Sequence, residues 1–224
     1  MSVNINLVIF DCDGVLIESE QLSAQVLVEQ IAKHAGVQVS IDYVYQTFLG
    51  RKFQVVVDTL KKEFDISLSP EFEVNYQTTL LTRFSESLET TRGLKEMLNK
   101  LAVPACVATS SSPERTAHAL KLVGLQDYFA DRVFTASQVK NGKPAPDLFL
   151  HAAKTMMIAP EDCLVIEDSP AGMQAAISAN MQLLHYCGGI HLKNSPISIH
   201  CPESAQVLAD WQEFFNVYPQ LAKR

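Results

Sequence analysis

The apolar run Leu7-Val8-Ile9-Phe10 lacks the polar alternation of a half-exposed strand. A short run of this kind, rich in β-branched residues, predicts a strand covered on both faces, as in a parallel sheet. It breaks off at Asp11-Cys12-Asp13-Gly14. From about Glu20 to Leu88 the apolar period becomes helical, with Leu22, Val26, Leu27 and Ile31 on one face and Val55, Val56, Leu60 and Phe64 on another. Gly36 reads as a helix stop, Ser40-Ile41-Asp42 as a start, and Ser69-Pro70-Glu71 as a second start with Ser as N-cap. No segment of this stretch reads as a strand.

From Gly93 onward the two periods alternate. Helices are predicted over 94–101, from Pro113 to Gly124, from Pro146, and from Pro170 to about Asn180. Strands are predicted over 105–108, around Val133-Phe134, over 163–166 and over 182–186. The stretch 211–218 is expected to form a closing helix. Alternation of this kind implies an α/β fold, a Rossmann-like parallel sheet with helices on both faces. Its first strand is separated from the others by an inserted α-helical unit. The expected division is a core of residues 1–17 and 90–224 and an insertion of residues 18–89. Its hinges are expected near 16–19 and 89–93.

Composition narrows the function classes. The 224 residues are 47% hydrophobic and 19% charged, as in an ordinary globular protein. A formal net charge of −7 argues against nonspecific nucleic-acid binding, which rests on a basic surface. No apolar run is long enough to cross a membrane, and the N-terminal residues lack a signal-peptide pattern, so a cytoplasmic protein is expected. The five cysteines are scattered and never form CxxC, consistent with reduced thiols and no zinc site. A monomer is expected, with a dimer as the alternative.

The strand ends carry the candidate chemistry. Asp11 and Asp13 follow the first strand, Thr109-Ser110-Ser111 the second, Lys143-Pro144 lies beyond the third, and Glu167-Asp168-Ser169 ends the fourth. A parallel sheet puts all four loops on one rim, where open α/β sheets bind ligands. Taken singly, Thr109–Ser112 and Ser169 would serve as helix caps, and Lys143 as a solvated loop lysine. Together, acid, hydroxyl, lysine and acid suit phosphoryl transfer. Asp11, Asp168 and a carbonyl near Asp13 offer hard oxygens to Mg2+. Thr109, Lys143 and nearby N–H groups offer donors to the phosphoryl oxygens. An aspartate can be phosphorylated while its neighbour moves protons.

In order and spacing, Asp11-Cys12-Asp13-Gly14-Val15, Ala108-Thr109-Ser110, Lys143-Pro144 and Ile166-Glu167-Asp168-Ser169-Pro170-Ala171-Gly172 resemble the four motifs of the haloacid dehalogenase-like hydrolases. The match runs over essentially the whole chain and resembles the subgroup with a helical cap after the first strand. That subgroup includes phosphoglycolate phosphatases, sugar-phosphate phosphatases and β-phosphoglucomutases. The stretch from His151 through Cys187 also resembles bacterial 6-phosphogluconate phosphatase-like proteins. The resemblance implies that Asp11 is the nucleophile and Asp13 the general acid/base. It further implies that Thr109, Ser110 and Lys143 hold the phosphoryl group, and that Asp11, Asp13, Asp168 and Glu167 form the Mg2+ site.

Departures from neighbouring subfamilies favour a Mg2+-dependent phosphatase acting on a small phosphorylated metabolite, such as a sugar phosphate or phosphosugar acid. Dehalogenases and phosphonate hydrolases lack the second aspartate. β-Phosphoglucomutases carry a cap histidine where Ser23 aligns and a cap arginine where Phe53 aligns. A phosphomutase remains the alternative. A receiver-like phospho-acceptor is more distant, because it lacks a large insertion after the first strand. In the cap, Arg51 and Lys52 follow Gly50 at once and are candidates for reading an anionic leaving group, with a solvated helix start as the bland alternative. Cys12 is expected to pack as a small hydrophobe.

Overall fold

Six strands form one sheet: β1 (Leu7–Phe10), β2 (Ala105–Thr109), β3 (Val133–Thr135), β4 (Cys163–Glu167), β5 (Gln182–Tyr186) and β6 (Gln206–Leu208). In this computed structural model, which describes residues 4–48, 53–193, 202 and 205–223, their order is β3-β2-β1-β4-β5-β6. Every pairing is parallel. β1 is therefore central, and its register sets Phe10 beside Val107 on one side and Ile166 on the other. One step further along the chain, Asp11, Ala108 and Glu167 emerge at the same level.

Side chains alternate across β1 as the pleat requires. Leu7 and Ile9 join a core layer with Phe149, Ala152, Met173 and Ala176, while Val8 and Phe10 join Phe129, Trp211 and Phe214 on the other face. The helices behind these layers are α5 (Leu94–Lys100), α6 (Pro113–Leu122), α7 (Gln126–Phe129), α8 (Asp147–Thr155), α9 (Pro170–Ser178), α10 (Ile190–Lys193) and α11 (Phe214–Val217). Four helices precede them in the chain: α1 (Ser19–Ala35), α2 (Ile41–Phe48), α3 (Phe53–Phe64) and α4 (Pro70–Ser87). They make up the helical insertion, and Val26, Ile31, Leu60, Phe72, Leu80 and Phe84 are buried within it.

The chain leaves and re-enters the core by two adjacent segments that pair with each other. The Glu18 N–H donates to the Glu89 carbonyl and the Thr91 N–H to the Leu16 carbonyl, each at 3.0 Å. The buried Thr91 hydroxyl donates to the Val15 carbonyl at 2.6 Å and accepts from Trp211 Nε1 at 2.9 Å. Trp211 stacks on Tyr186 with ring centroids 4.2 Å apart. These contacts tie the crossing strands to the sheet.

The stretch 211–218 departs from expectation. A 3₁₀ turn at Trp211–Glu213 runs into the four-residue α11 in place of one continuous helix. Pro219 disfavours helical backbone at the residue before it, and Tyr218 sits at φ −125°. Gly36 ends α1 in the left-handed conformation at φ +68°. Pro70 opens α4, but the Ser69 side chain makes no capping bond there. Arg51 and Lys52 lie outside the described residues.

Candidate active site

At the carboxyl end of β1, Asp11 is 7% exposed and its N–H bonds to the Ile166 carbonyl. The chain then folds into a tight loop, in which Leu16 N–H returns to the Cys12 carbonyl at 2.9 Å and Gly14 N–H to Ile17 at 2.9 Å. Gly14 takes φ +78°, and a Cβ there would lie 2.0 Å from Asp168 Oδ2. A side chain at that position is excluded on both counts. Cys12 is buried, and burial pushes its thiol well above the ordinary range, so it packs as an inert group.

The two aspartates have separate surroundings. Asp11 Oδ1 meets Lys143 Nζ at 2.5 Å. Lys143 also donates to the Ala108 carbonyl at 2.8 Å and to Glu167 Oε1 at 2.6 Å, and its ammonium lies 4.9 Å from the centroid of the Phe149 ring. Asp13 accepts from Ser19 Oγ and Ser111 Oγ at 2.5 Å each and from Arg115 Nη2 at 2.8 Å. Burial alone would raise Asp13, but Arg115 and the two hydroxyls outweigh it and hold the carboxyl below the ordinary range. Asp11 goes the opposite way. Burial raises it well above the ordinary range against the pull of Lys143, and Glu167, Asp168 and Asp13 push in the same direction as burial.

Glu167 is fully buried, and its Oε2 accepts from Asp168 N–H, Ser169 N–H and Ser169 Oγ at 2.9 to 3.0 Å. The start of α9 presses against it, capped by Ser169, whose Oγ accepts from Gly172 N–H at 3.1 Å. A Cβ on Gly172 would fall 1.7 Å from Glu167 Oε1. Gly172→Ala should therefore push α9 away and destabilise the fold by about 3 kcal/mol. That lowers the melting midpoint by roughly 6–12 °C in a thermal unfolding experiment.

Asp11, Glu167 and Asp168 each bring one carboxylate oxygen into a set whose atoms all lie within 4.8 Å of one another, and all three residues are buried. Lys143 is the only positive charge bonded to this set among the described residues. Asp168 is raised well above the ordinary range by burial first and Glu167 second. An all-oxygen donor set with excess negative charge fits a hard divalent cation. His191 Nε2 lies 3.0 Å from Asp168 Oδ2, and burial lowers its pKa.

The rim opens into a cavity of about 610 Å³. Asp11, Asp13, Thr109, Ser110, Lys143 and Asp168 all border it, so the structure brings these sequence candidates together. Thr109 is buried and its Oγ1 accepts from Ser111 N–H at 3.1 Å, while Ser110 is exposed. The roof comes from the insertion, through Ser23, Leu27, Phe53, Tyr76 and Gln77 among others. Ser19, Arg115 and His191 were not among the candidates, and Ser111 was given no role of its own. Of these, Ser111 had a visible signal in the Thr109-Ser110-Ser111 run. Arg115 stands 102 residues from the aspartate it pairs with, a contact that no local pattern reveals.

Glu20 also borders the cavity. Burial and the nearby charge of Asp13 raise it to about 8, with Asp168 pushing the same way and His191 and Arg115 opposing. Between its unfolded value and about 8, the unfolded chain has released this proton while the folded chain still holds it, so stability falls as pH rises through that window. Glu20→Gln removes the penalty. The variant should melt a few degrees above the wild type at pH 8 and level with it near pH 4.5, since about 1 kcal/mol moves a chain of this size by roughly 2–4 °C.

A buried carboxylate bonded to a lysine, a second aspartate and an acidic cluster thus share one sheet rim beside one cavity. Residues 5–180 match the model of the haloacid dehalogenase-like hydrolases, and the chain belongs to that family. It is 30% identical to 6-phosphogluconate phosphatase of Escherichia coli K12 over 194 residues, 86% of each chain. It is 29% identical to the phosphorylated carbohydrates phosphatase of Thermotoga maritima over 218 residues, 96% of this chain and 98% of that one. Among solved structures it resembles a haloacid dehalogenase family hydrolase from Deinococcus radiodurans with bound phosphate and sodium. That match has a TM-score of 0.81 and 28% identity, and it covers 98% of this chain and 97% of the other. With phosphatases as its relatives, the chain is a phosphomonoesterase. No helix among the described residues is long and apolar enough to cross a membrane.

Proposed function

We propose that the chain is a Mg2+-dependent phosphatase of small phosphorylated polyols, sugar phosphates or phosphosugar acids such as 6-phosphogluconate, and that it works through an aspartyl-phosphate on Asp11. The observation that supports this most is the contrast between the two aspartates: Asp11 is bonded to Lys143 within the acidic cluster, and Asp13 to two serines and Arg115 outside it. Asp11 Oδ attacks phosphorus, forming an O–P bond as the leaving oxygen departs. Asp13 passes a proton to that oxygen and takes one from the water that hydrolyses the acyl-phosphate, and the contacts that favour its anionic form in the free site suit the second of these steps. Lys143, the Thr109 hydroxyl and Ser110 hold the phosphoryl oxygens. Asp11, Asp168, the Asp13 carbonyl and Glu167 would hold Mg2+, which when bound neutralises charge on the phosphoryl group.

The insertion of residues 18–89 acts as a cap on the core of residues 1–17 and 90–224, moving about the paired crossing segments so that water is excluded during transfer. Phosphate release from a panel of sugar phosphates, including 6-phosphogluconate and β-glucose 1-phosphate, with Mg2+ and with chelator, tests the reading. Mg2+-dependent release of phosphate supports it. Isomerised sugar phosphate without release would make the chain a mutase.

A further inference from the structure

Among the described residues that line the cavity, the cations are Lys143 and Arg115. Lys143 bonds Asp11, the Ala108 carbonyl and Glu167, so it belongs to the phosphoryl side of the cavity. Arg115 is different. Its Nη2 bonds Asp13 and reaches Ser23 Oγ on α1 at 3.5 Å, while its Nε is buried without a hydrogen-bond partner and its Nη1 bonds none of the described residues. The Phe84 ring of α4 lies 5.3 Å from the guanidinium carbon, within cation–π range. The side chain is 20% exposed, so part of it faces the cavity.

Position and charge then select a ligand. If Asp13 serves the leaving oxygen, a group bonded to Asp13 stands on the leaving-group side of phosphorus, so the inference rests on the phosphatase reading. We propose that Arg115 is a specificity residue that pairs with a carboxylate on the leaving group, so that the enzyme prefers phosphomonoesters of sugar acids to those of neutral polyols. A guanidinium offers N–H donors in a fork that matches a carboxylate. Its charge is already shared with Asp13, and a single negative charge is better balanced by what remains than the double charge of a second phosphate.

The test compares kcat and KM on 6-phosphogluconate and on sorbitol 6-phosphate, which has CH2OH in place of the carboxylate, for the wild type, Arg115→Lys and Arg115→Gln. The wild type should favour 6-phosphogluconate. Arg115→Gln should lose about tenfold more kcat/KM on 6-phosphogluconate than on sorbitol 6-phosphate, mainly through KM, and Arg115→Lys should recover part of the difference. Equal losses on both substrates would overturn the proposal and leave Arg115 as a partner of Asp13 alone. If the variants do not fold, the wild type decides: a preference of about tenfold or more supports the pairing, and a ratio near one overturns it. Glucose 1,6-bisphosphate as a third substrate, if favoured over 6-phosphogluconate, would overturn the choice of carboxylate. Failure of the phosphatase reading is distinct, and would show as no Mg2+-dependent phosphate release from any of these or from p-nitrophenyl phosphate.

Discussion

Asp11→Asn should abolish phosphate release, with a loss of about 10⁴-fold or more, while the protein stays folded. The amide is a far poorer nucleophile than the carboxylate and offers no anionic oxygen to phosphorus. The fold should tolerate it, because burial and the neighbouring acids already push Asp11 towards its neutral form. Lys143 keeps Glu167 as its partner at 2.6 Å, so the substitution strands no charge. The melting midpoint of the metal-free protein should hold or rise, since one of the mutually repelling acids is gone. Initial rates at saturating substrate, with a thermal melt of the same sample, measure both. Full activity in the variant would remove Asp11 from the chemistry.

Lys143→Met should damage both stability and rate. Lys143 is buried between Asp11 and Glu167, which hold its ammonium above the ordinary lysine range even though burial lowers it. Removing one partner of a buried ion pair leaves the other uncompensated, at a cost of about 3–5 kcal/mol. That corresponds to a fall in melting midpoint of roughly 6–20 °C in a chain of this size. The sign of the pH dependence follows from the same charges. Without Lys143 the folded-state value of Asp11 rises further above its unfolded one, so the variant loses more stability as pH increases from about 4. The deficit relative to the wild type should be larger at pH 8 than at pH 5. Loss of a donor to the phosphoryl group should lower kcat by about 10²–10³-fold. Melts at two pH values and steady-state kinetics check these outcomes.

The candidate rim was legible because β1, β2 and β4 run directly into polar groups, and a parallel sheet places such ends together. The apolar runs of β1, β4 and β5 could be read because strands covered on both faces need no alternation. β6 could not be read. Its Gln206 and Val207 are exposed, and three residues at a sheet edge carry almost no periodic signal. The 211–218 stretch misled because aromatic spacing there reflects packing against Phe10 and Tyr186, not a helical face. Arg115 sits at an ordinary third position of a helix whose cap, Ser112, bonds its own N–H. Its importance lies in the long side chain reaching Asp13, which is a tertiary fact. His191 was equally hidden, since it approaches Asp168 from a short helix beyond β5.

The central claim is that Asp11 carries the phosphoryl group during turnover. Its most direct test is acid quenching of the enzyme during steady-state hydrolysis of a substrate found in the panel, followed by borohydride reduction and peptide mass spectrometry. The account predicts that the peptide containing Asp11 carries the phosphoryl group, seen after reduction as homoserine at position 11, and that Asp11→Asn yields none. Active enzyme with position 11 unlabelled and the phosphoryl group trapped on another residue would contradict it.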